Sequence, residues 1–341
     1  MNNNNIAVTI GFPVYNVEKY IEKSLCSALQ QDFDNPYEIL VIDDCGSDKS
    51  MDIVHDLAAN HPKGNIIRII KRNSNKGLGE ARNLIIKEAL GKYLFFLDSD
   101  DYISHDCLSI LYEKALLYDC DVVAGSYKCV SEKGEILNML KLPDVNFKDM
   151  PVLGVHWQVA VWNKLYRLDF LRKNNIGCIH KYFEDVIFNY KLCLCIKSVA
   201  MTSHCTLSYL ERRASITDVS NKKPNNEMIQ VYGEIINTMG QLASEKEYID
   251  GIWDYYVSSV RSIFVAVSRK NFTRKQLNWF KKSINGYMRI IPSYITLKSN
   301  THRVLYFLGY IISDYKLFLW FYAKIEFLRT KMVSLKKTPL I

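Results

Sequence analysis

The sequence predicts an α/β fold: a Rossmann-like, mostly parallel sheet flanked by helices, followed by a helical C-terminal region. Three observations carry this. Within the first hundred residues, four short apolar runs alternate with three stretches of helical spacing. Each run stops at polar or backbone-breaking residues, as buried strands do. From about residue 225 onward the chain reads as helical, with no Gly/Ser linker to mark the change.

The elements follow in order. Residues 6–10 are apolar and halt at Gly11-Phe12-Pro13, which predicts a first buried strand. Residues 17–31 place Ile21, Leu25, Ala28 and Leu29 on one helical face. Residues 38–42 form a second strand ending in Asp43-Asp44, and 48–60 a second helix with Ile53, Val54 and Leu57 turned inward. Residues 66–71 are a third strand. Residues 79–90 are a third helix, stopped by Gly91. Residues 93–97 are a fourth strand that runs into Asp98-Ser99-Asp100-Asp101, and 121–126 a fifth. Between there and about residue 215 the pattern is less regular.

A β-α-β-α-β-α-β order builds a parallel sheet covered on both faces. Ligands then gather outside the carboxyl ends of the strands. In this chain those ends carry Pro13 to Asn16, Asp43-Asp44, 73–77 and Asp98 to Asp101. Segments far apart in sequence should therefore meet along one edge.

The length of 341 residues allows one large α/β domain, taken as 1–220, and a smaller C-terminal region, 221–341. The formal charge of +8 sits in the latter, which has 19 Lys/Arg against 8 Asp/Glu, while the first 220 residues have 25 against 28. The nine cysteines are odd in number and scattered, without C-x-x-C pairs. They read as reduced, mostly buried thiols, with Cys193 and Cys195 set on opposite faces of a strand. The polar start MNNNNIAVTI has no secretory apolar core, so a cytoplasmic protein is expected.

Several motifs carry chemistry. Asp98-Ser99-Asp100 at a strand end is a D-x-D, able to hold a hard divalent cation (Mn²⁺ or Mg²⁺) through oxygen while leaving positions for phosphates. Acidic loops after strands are common, so its strand-end position opposite Asp43-Asp44 carries the weight. Asp43 could accept hydrogen bonds from a base or ribose, whereas Asp44, Ser47 or Asp48 could cap the following helix. The junction Asn75-Lys76-Gly77-Leu78-Gly79-Glu80-Ala81-Arg82-Asn83 combines glycines, a helix N-terminus and the cations Lys76 and Arg82, which suits an anion or simply a capped helix. Glu184-Asp185 could supply a general base of raised pKa, or could be acids at a helix start. Arg212-Arg213 with Ser215 and Thr217 could grip phosphate or form a surface loop.

Taken together, these segments resemble the family 2 glycosyltransferases of the GT-A fold. The resembling residues are Pro13-Val14-Tyr15-Asn16, Ile42-Asp43-Asp44 with Ser47-Asp48, Asn75-Lys76-Gly77 with Ala81-Arg82-Asn83, Asp98-Ser99-Asp100-Asp101, Trp162-Asn163-Lys164-Leu165-Tyr166, Glu184-Asp185, and Arg212 to Thr217. They cover about 5–217, in the family's order and spacing. One departure is that Cys45 precedes Gly46, where the family usually has glycine directly after the paired aspartates.

The resemblance implies an inverting transfer of a sugar from a nucleotide diphosphate donor, most simply a UDP-sugar, to a hydroxyl of a glycan or lipid-linked glycan. It places Pro13, Tyr15, Asp43, Lys76, Arg82 and Asp98 around the nucleotide. Asp98 and Asp100 would hold a divalent metal, Asp100 the more directly. Asp185 would be the catalytic base with Glu184 beside it. Arg212, Arg213 and Ser215 would close on the diphosphate. A nucleotidyltransferase would need a Gly-rich basic loop after the first strand, which Gly11-Phe12-Pro13-Val14-Tyr15 is not. A non-catalytic nucleotide-sugar-binding protein is the other alternative, and the intact Asp98, Asp100 and Asp185 set argues against it.

Residues 304–323 are rich in Leu, Ile, Phe, Tyr and Trp, but Ser313, Asp314 and Lys316 break the run short of a membrane span. Arg303, Lys324, Arg329, Lys331, Lys336 and Lys337 flank it. Two readings stand: a helix lying on the inner leaflet, making the protein peripheral there, or helices packed on the catalytic domain or a second copy of the chain. No nucleic-acid recognition module is legible, and nucleic acid is not an expected partner.

Overall fold

The computed structural model describes residues 6–148, 160–179 and 184–212, and isolated residues between 231 and 238. Contacts divide the chain into Met1–Arg213 and Ala214–Ile341. The sheet belongs to the first unit. The helical expectation for the region after 225 meets helix at the isolated residues 231, 233–235 and 238; the rest of it, and the segment 304–323, lie outside the described residues.

In chain order the unit contains β1 (Val8–Val14), α1 (Ile21–Leu29), β2 (Tyr37–Asp43), α2 (Ser50–Asn60), β3 (Ile67–Lys71), α3 (Leu78–Glu88), β4 (Tyr93–Phe96), β5 (Tyr102–Ile103), α4 (Cys107–Leu117), β6 (Val122–Ser131), β7 (Ile136–Leu140), β8 (Val145–Lys148), β9 (Lys164–Arg167), α5 (Leu168–Lys173), α6 (Glu184–Cys195) and β10 (Ser198–Glu211). The strand order is β3-β2-β1-β4-β9-β6-β10-β5, with β7 beside β6 and β8 beside β10. The first four strands are parallel, as the alternating pattern predicts. β9 runs antiparallel between β4 and β6, and β10 is again parallel to β6. This is a mixed, helix-flanked sheet, as the resemblance to the GT-A fold implies.

Side-chain alternation in the strands feeds a core on each face. Ile39 and Val41 point into one with Leu25 of α1, Val54 of α2 and Leu111 of α4. Leu40 and Ile42 point into the other with Ile85 of α3, Leu171 of α5 and Phe188 of α6.

Two local expectations are corrected. The first strand does not stop at Gly11-Phe12-Pro13 but continues to Val14. Proline is tolerated there because β4 pairs only as far as Gly11, so the edge that Pro13 presents needs no N–H donor; its carbonyl instead accepts the Ser99 hydroxyl. Gly11 is needed where α3 presses on β1, since a Cβ there would meet Ile85 Cγ2 at 2.4 Å. Cys193 and Cys195 lie on helix α6, not on a strand. No disulfide joins the nine cysteines; Cys107, Cys120, Cys178 and Cys193 are buried and the others half-buried.

Candidate active site

Because β1 to β4 are parallel, Val14, Asp43, Lys71 and Phe96 end on one edge. β6 and β4 both run antiparallel to β9, so β10, parallel to β6, delivers Arg212 to the same edge. Helix α6 precedes β10 and runs back toward its start, which leaves Glu184 and Asp185 at that edge too.

Arg82 ties the parts together. It is 2% exposed, and its two terminal nitrogens divide between Asp98 Oδ1 at 2.6 Å and Glu184 Oε1 at 2.5 Å. One guanidinium therefore joins α3, the end of β4 and the start of α6. Burial opposes its charge, but the two carboxylates outweigh that and hold it protonated. Arg212 Nε donates to Asp100 Oδ2 at 2.7 Å. Its guanidinium lies 5.1 Å from the Tyr20 ring centroid, and the Tyr20 hydroxyl donates to Glu132 at 2.7 Å. Asp101 is buried, and its carboxylate accepts the Leu210 N–H at 2.8 Å, which anchors the end of β10 against the D-x-D turn.

At the β2 end the paired aspartates divide their work. Asp43 Oδ1 accepts the Cys45 N–H at 2.9 Å. Asp44 does not cap α2. It pairs with Arg72 at 2.7 Å and accepts the N–H groups of Lys76 and Gly77, pinning the 73–77 loop to the edge. Asp48 takes the Ser50 N–H in the first turn of α2. Cys45 sits at φ 60, the left-handed conformation glycine favours, and its thiol donates to the Arg72 carbonyl. The departure at Cys45 is thus absorbed locally.

Asp185, in the first turn of α6, has its pKa pushed up to about 6, first by burial and then by the charge of Glu184, with Arg82 pulling the other way. Lys164, at the start of β9, is fully buried and donates to the Ala160 carbonyl at 2.6 Å. Burial pushes its pKa down to about 7, and Asp185 is the leading charge that opposes this. Beside it Asn163, at φ 57, donates to Gly125 and Ser126 carbonyls and accepts from Thr206. Trp162 stacks on Tyr209 at 5.3 Å.

The sequence-predicted residues fall into three groups. Asp98, Asp100, Arg82, Glu184, Asp185 and Arg212 are brought into one connected cluster. Tyr15, Asp43 and Lys76 line the same edge, with Tyr15 and Lys76 exposed. Pro13 is buried within β1 and contributes its carbonyl to Ser99 rather than a ligand-facing surface. Arg213 and Ser215 lie outside the described residues. Sequence reasoning missed Arg72, Tyr20, Glu132 and the anchoring of Leu210 by Asp101. The available signal was modest: Arg72 directly follows a strand that ends beside Asp44.

Among the described residues no group of three or more His, Cys, Asp or Glu forms a ready-made metal cage. The donor set nonetheless fits a hard divalent cation that completes its shell with ligand oxygens. Asp98 and Asp100 each commit one carboxylate oxygen to an arginine and retain the other. Burial and the charge of Asp98 raise the Asp100 pKa, the mark of crowded carboxylates that a cation would relieve.

Fold and site together define an α/β protein that gathers carboxylates and arginines at one edge of its sheet. The chain belongs to glycosyl transferase family 2, whose sequence profile matches residues 9–183. Among curated relatives it is 27% identical to glycosyltransferase GlyA of Streptococcus pneumoniae, over 69% of this chain and 35% of GlyA. It is 30% identical to the poly(ribitol-phosphate) beta-glucosyltransferase of Bacillus spizizenii, over 60% of this chain and 32% of that protein. The chain thus spans about a third of the length of these two. Among solved structures it resembles residues 1–349 of TarS from S. aureus in complex with UDP-GlcNAc, with TM-score 0.71 and 21% identity over 94% of this chain and 92% of that one. A mannosyltransferase from Pyrobaculum calidifontis, in complex with GDP-Man and Mn²⁺, aligns with TM-score 0.51 and 15% identity over 95% and 87%. At these identities the structural likenesses show the fold.

Proposed function

We propose that this chain is an inverting glycosyltransferase that moves a sugar from a UDP-sugar to a hydroxyl of a glycan or polyol-phosphate acceptor in cell-surface polymer synthesis, with Asp185 as the base. The observation that carries this is the Arg82 bridge, which couples the D-x-D aspartate Asp98 to Glu184, the neighbour of Asp185. The poly(ribitol-phosphate) acceptors named for relatives, and the UDP-GlcNAc complex of TarS, support the donor and acceptor classes.

Asp185 removes the proton from the acceptor hydroxyl as its oxygen forms a bond to the anomeric carbon. The bond from that carbon to the diphosphate oxygen breaks, UDP departs, and the configuration inverts. Asp98 and Asp100 would hold the divalent metal, which when bound neutralises charge on the diphosphate. Arg212, Arg213 and Ser215 add donors to the leaving group. Tyr15 offers an exposed ring at the edge for the base, and Asp43 a carboxylate for its N–H or a ribose hydroxyl.

A panel of nucleotide sugars tested for metal-dependent hydrolysis and transfer, with UDP as the released product, examines this reading. Pyrophosphate release instead would point to nucleotidyl transfer, and the absence of any turnover to a binding protein. Asp185→Asn should fold normally and lose about 10²–10⁴-fold in transfer rate; undiminished transfer would remove Asp185 from the role. Asp100→Ala should lose Mn²⁺-dependent UDP binding in calorimetry.

A further inference from the structure

We infer that Arg212 exchanges partners during the cycle: it neutralises Asp100 while the metal is absent and is released to the diphosphate when a divalent cation takes Asp100. This deepens the proposed function and rests on its metal and diphosphate assignments. Those assignments compete at Asp100, because the guanidinium that should hold phosphate is paired through Nε with the carboxylate that should hold metal, which would set two positive charges on one group.

The geometry resolves the competition. Asp100 lies two residues from Asp98 in the same turn with its side chain only 22% exposed, so a positive group is needed beside it before any metal arrives. Arg212 supplies that group through its Nε. Its guanidinium carbon lies over the Tyr20 ring, and the Tyr20 hydroxyl is tied by its hydrogen bond to Glu132. The backbone behind it is held separately, by the Leu210 N–H on Asp101. Only the Arg212 side chain therefore has to move, while the end of β10 stays in place. Even with one carboxylate oxygen each, a cation and the guanidinium repel one another across Asp100, so each weakens the other's hold on it. Once released, Arg212 remains at the same edge, next to the donor phosphates. Tyr20 and Glu132 are positioning residues in this scheme.

The test is Mn²⁺ binding to the full chain, read by the loss of the free-ion electron paramagnetic resonance signal, with and without UDP. Arg212→Met should bind Mn²⁺ about tenfold more tightly than wild type without UDP, and the enhancement of UDP affinity by Mn²⁺ should shrink by a similar factor. Removing a positive charge would by itself favour Mn²⁺, so Tyr20→Leu is the discriminating variant. It keeps the Arg212 charge and removes the ring over which Arg212 is held, together with that ring's hydroxyl bond to Glu132, and it too should bind Mn²⁺ more tightly without UDP. Unchanged or weaker donor-free Mn²⁺ binding in Tyr20→Leu, with circular dichroism showing a folded chain, overturns the exchange. Wild type that binds UDP equally with and without Mn²⁺ overturns instead the metal assignment beneath it.

Discussion

Asp185, the proposed base, illustrates how one side chain can combine a chemical role with a cost. Its carboxyl, held near pKa 6 by burial and Glu184, must be ionised to act as a base. The value of kcat/KM should therefore rise as pH climbs through about 6 and level off above it, and an activity profile flat from pH 5 to 7 would exclude Asp185 as the titrating base. Lys164 makes the opposite bargain. In the unfolded chain a lysine titrates near 10.4, whereas here burial brings it to about 7. Between those values the unfolded chain binds the additional proton, so the folded state is penalised, and stability rises as pH increases from 7 to 10. In Lys164→Met that rise should vanish. Thermal unfolding at pH 7 and 10 tests it as the difference between variant and wild type, because the buried thiols that titrate in the same window are common to both.

Elements are coupled at this site by single side chains. Arg82 holds α3, β4 and α6 together, and Asp98 and Glu184 are both largely buried. Arg82→Met leaves two carboxylates with no countercharge, so it should cost about 3–5 kcal/mol in urea unfolding and detach the D-x-D from the base. A loss below about 1 kcal/mol would show that the three elements are held by their apolar contacts alone. At the other end of α3, Arg68 bonds both the Glu38 carboxylate and the Glu88 carbonyl, and Thr9 donates to Glu38, which clamps β1, β2, β3 and the C-terminus of the helix. Between the two clamps, Gly11 lets α3 lie close on β1. Gly11→Ala should cost about 1–3 kcal/mol by overpacking against Ile85.

The whole molecule joins a sheet-based unit to a basic, aromatic C-terminal region. Among the described residues no helix is long and apolar enough to cross a membrane. The +11 balance over 221–341, together with the apolar stretch at 304–323, is the sequence basis for proposing contact with an anionic lipid surface. The full chain should co-float with liposomes containing phosphatidylglycerol, and removal of 300–341 should abolish this; equal flotation of both forms would place the contact elsewhere, and no flotation of either would favour packing on the protein or on a second copy of the chain.

The four parallel strands and their helices were legible in the sequence, because burial on both faces writes continuous apolar runs and 3.6-residue spacing directly into local composition. So was the place of Asp43, Asp98 and Asp100 at strand ends, since polar residues closing an apolar strand stand out from their neighbours, whereas a role for Asp185 came only from the family resemblance. Which charges meet was not legible. That Arg82 bridges Asp98 to Glu184, that Asp44 serves Arg72 and the 76–77 amides rather than helix α2, and that Arg212 rests on Asp100 all depend on residues 16 to 112 positions apart meeting at one edge. Local periodicity records which way a side chain faces; only the assembled sheet decides which side chain it faces.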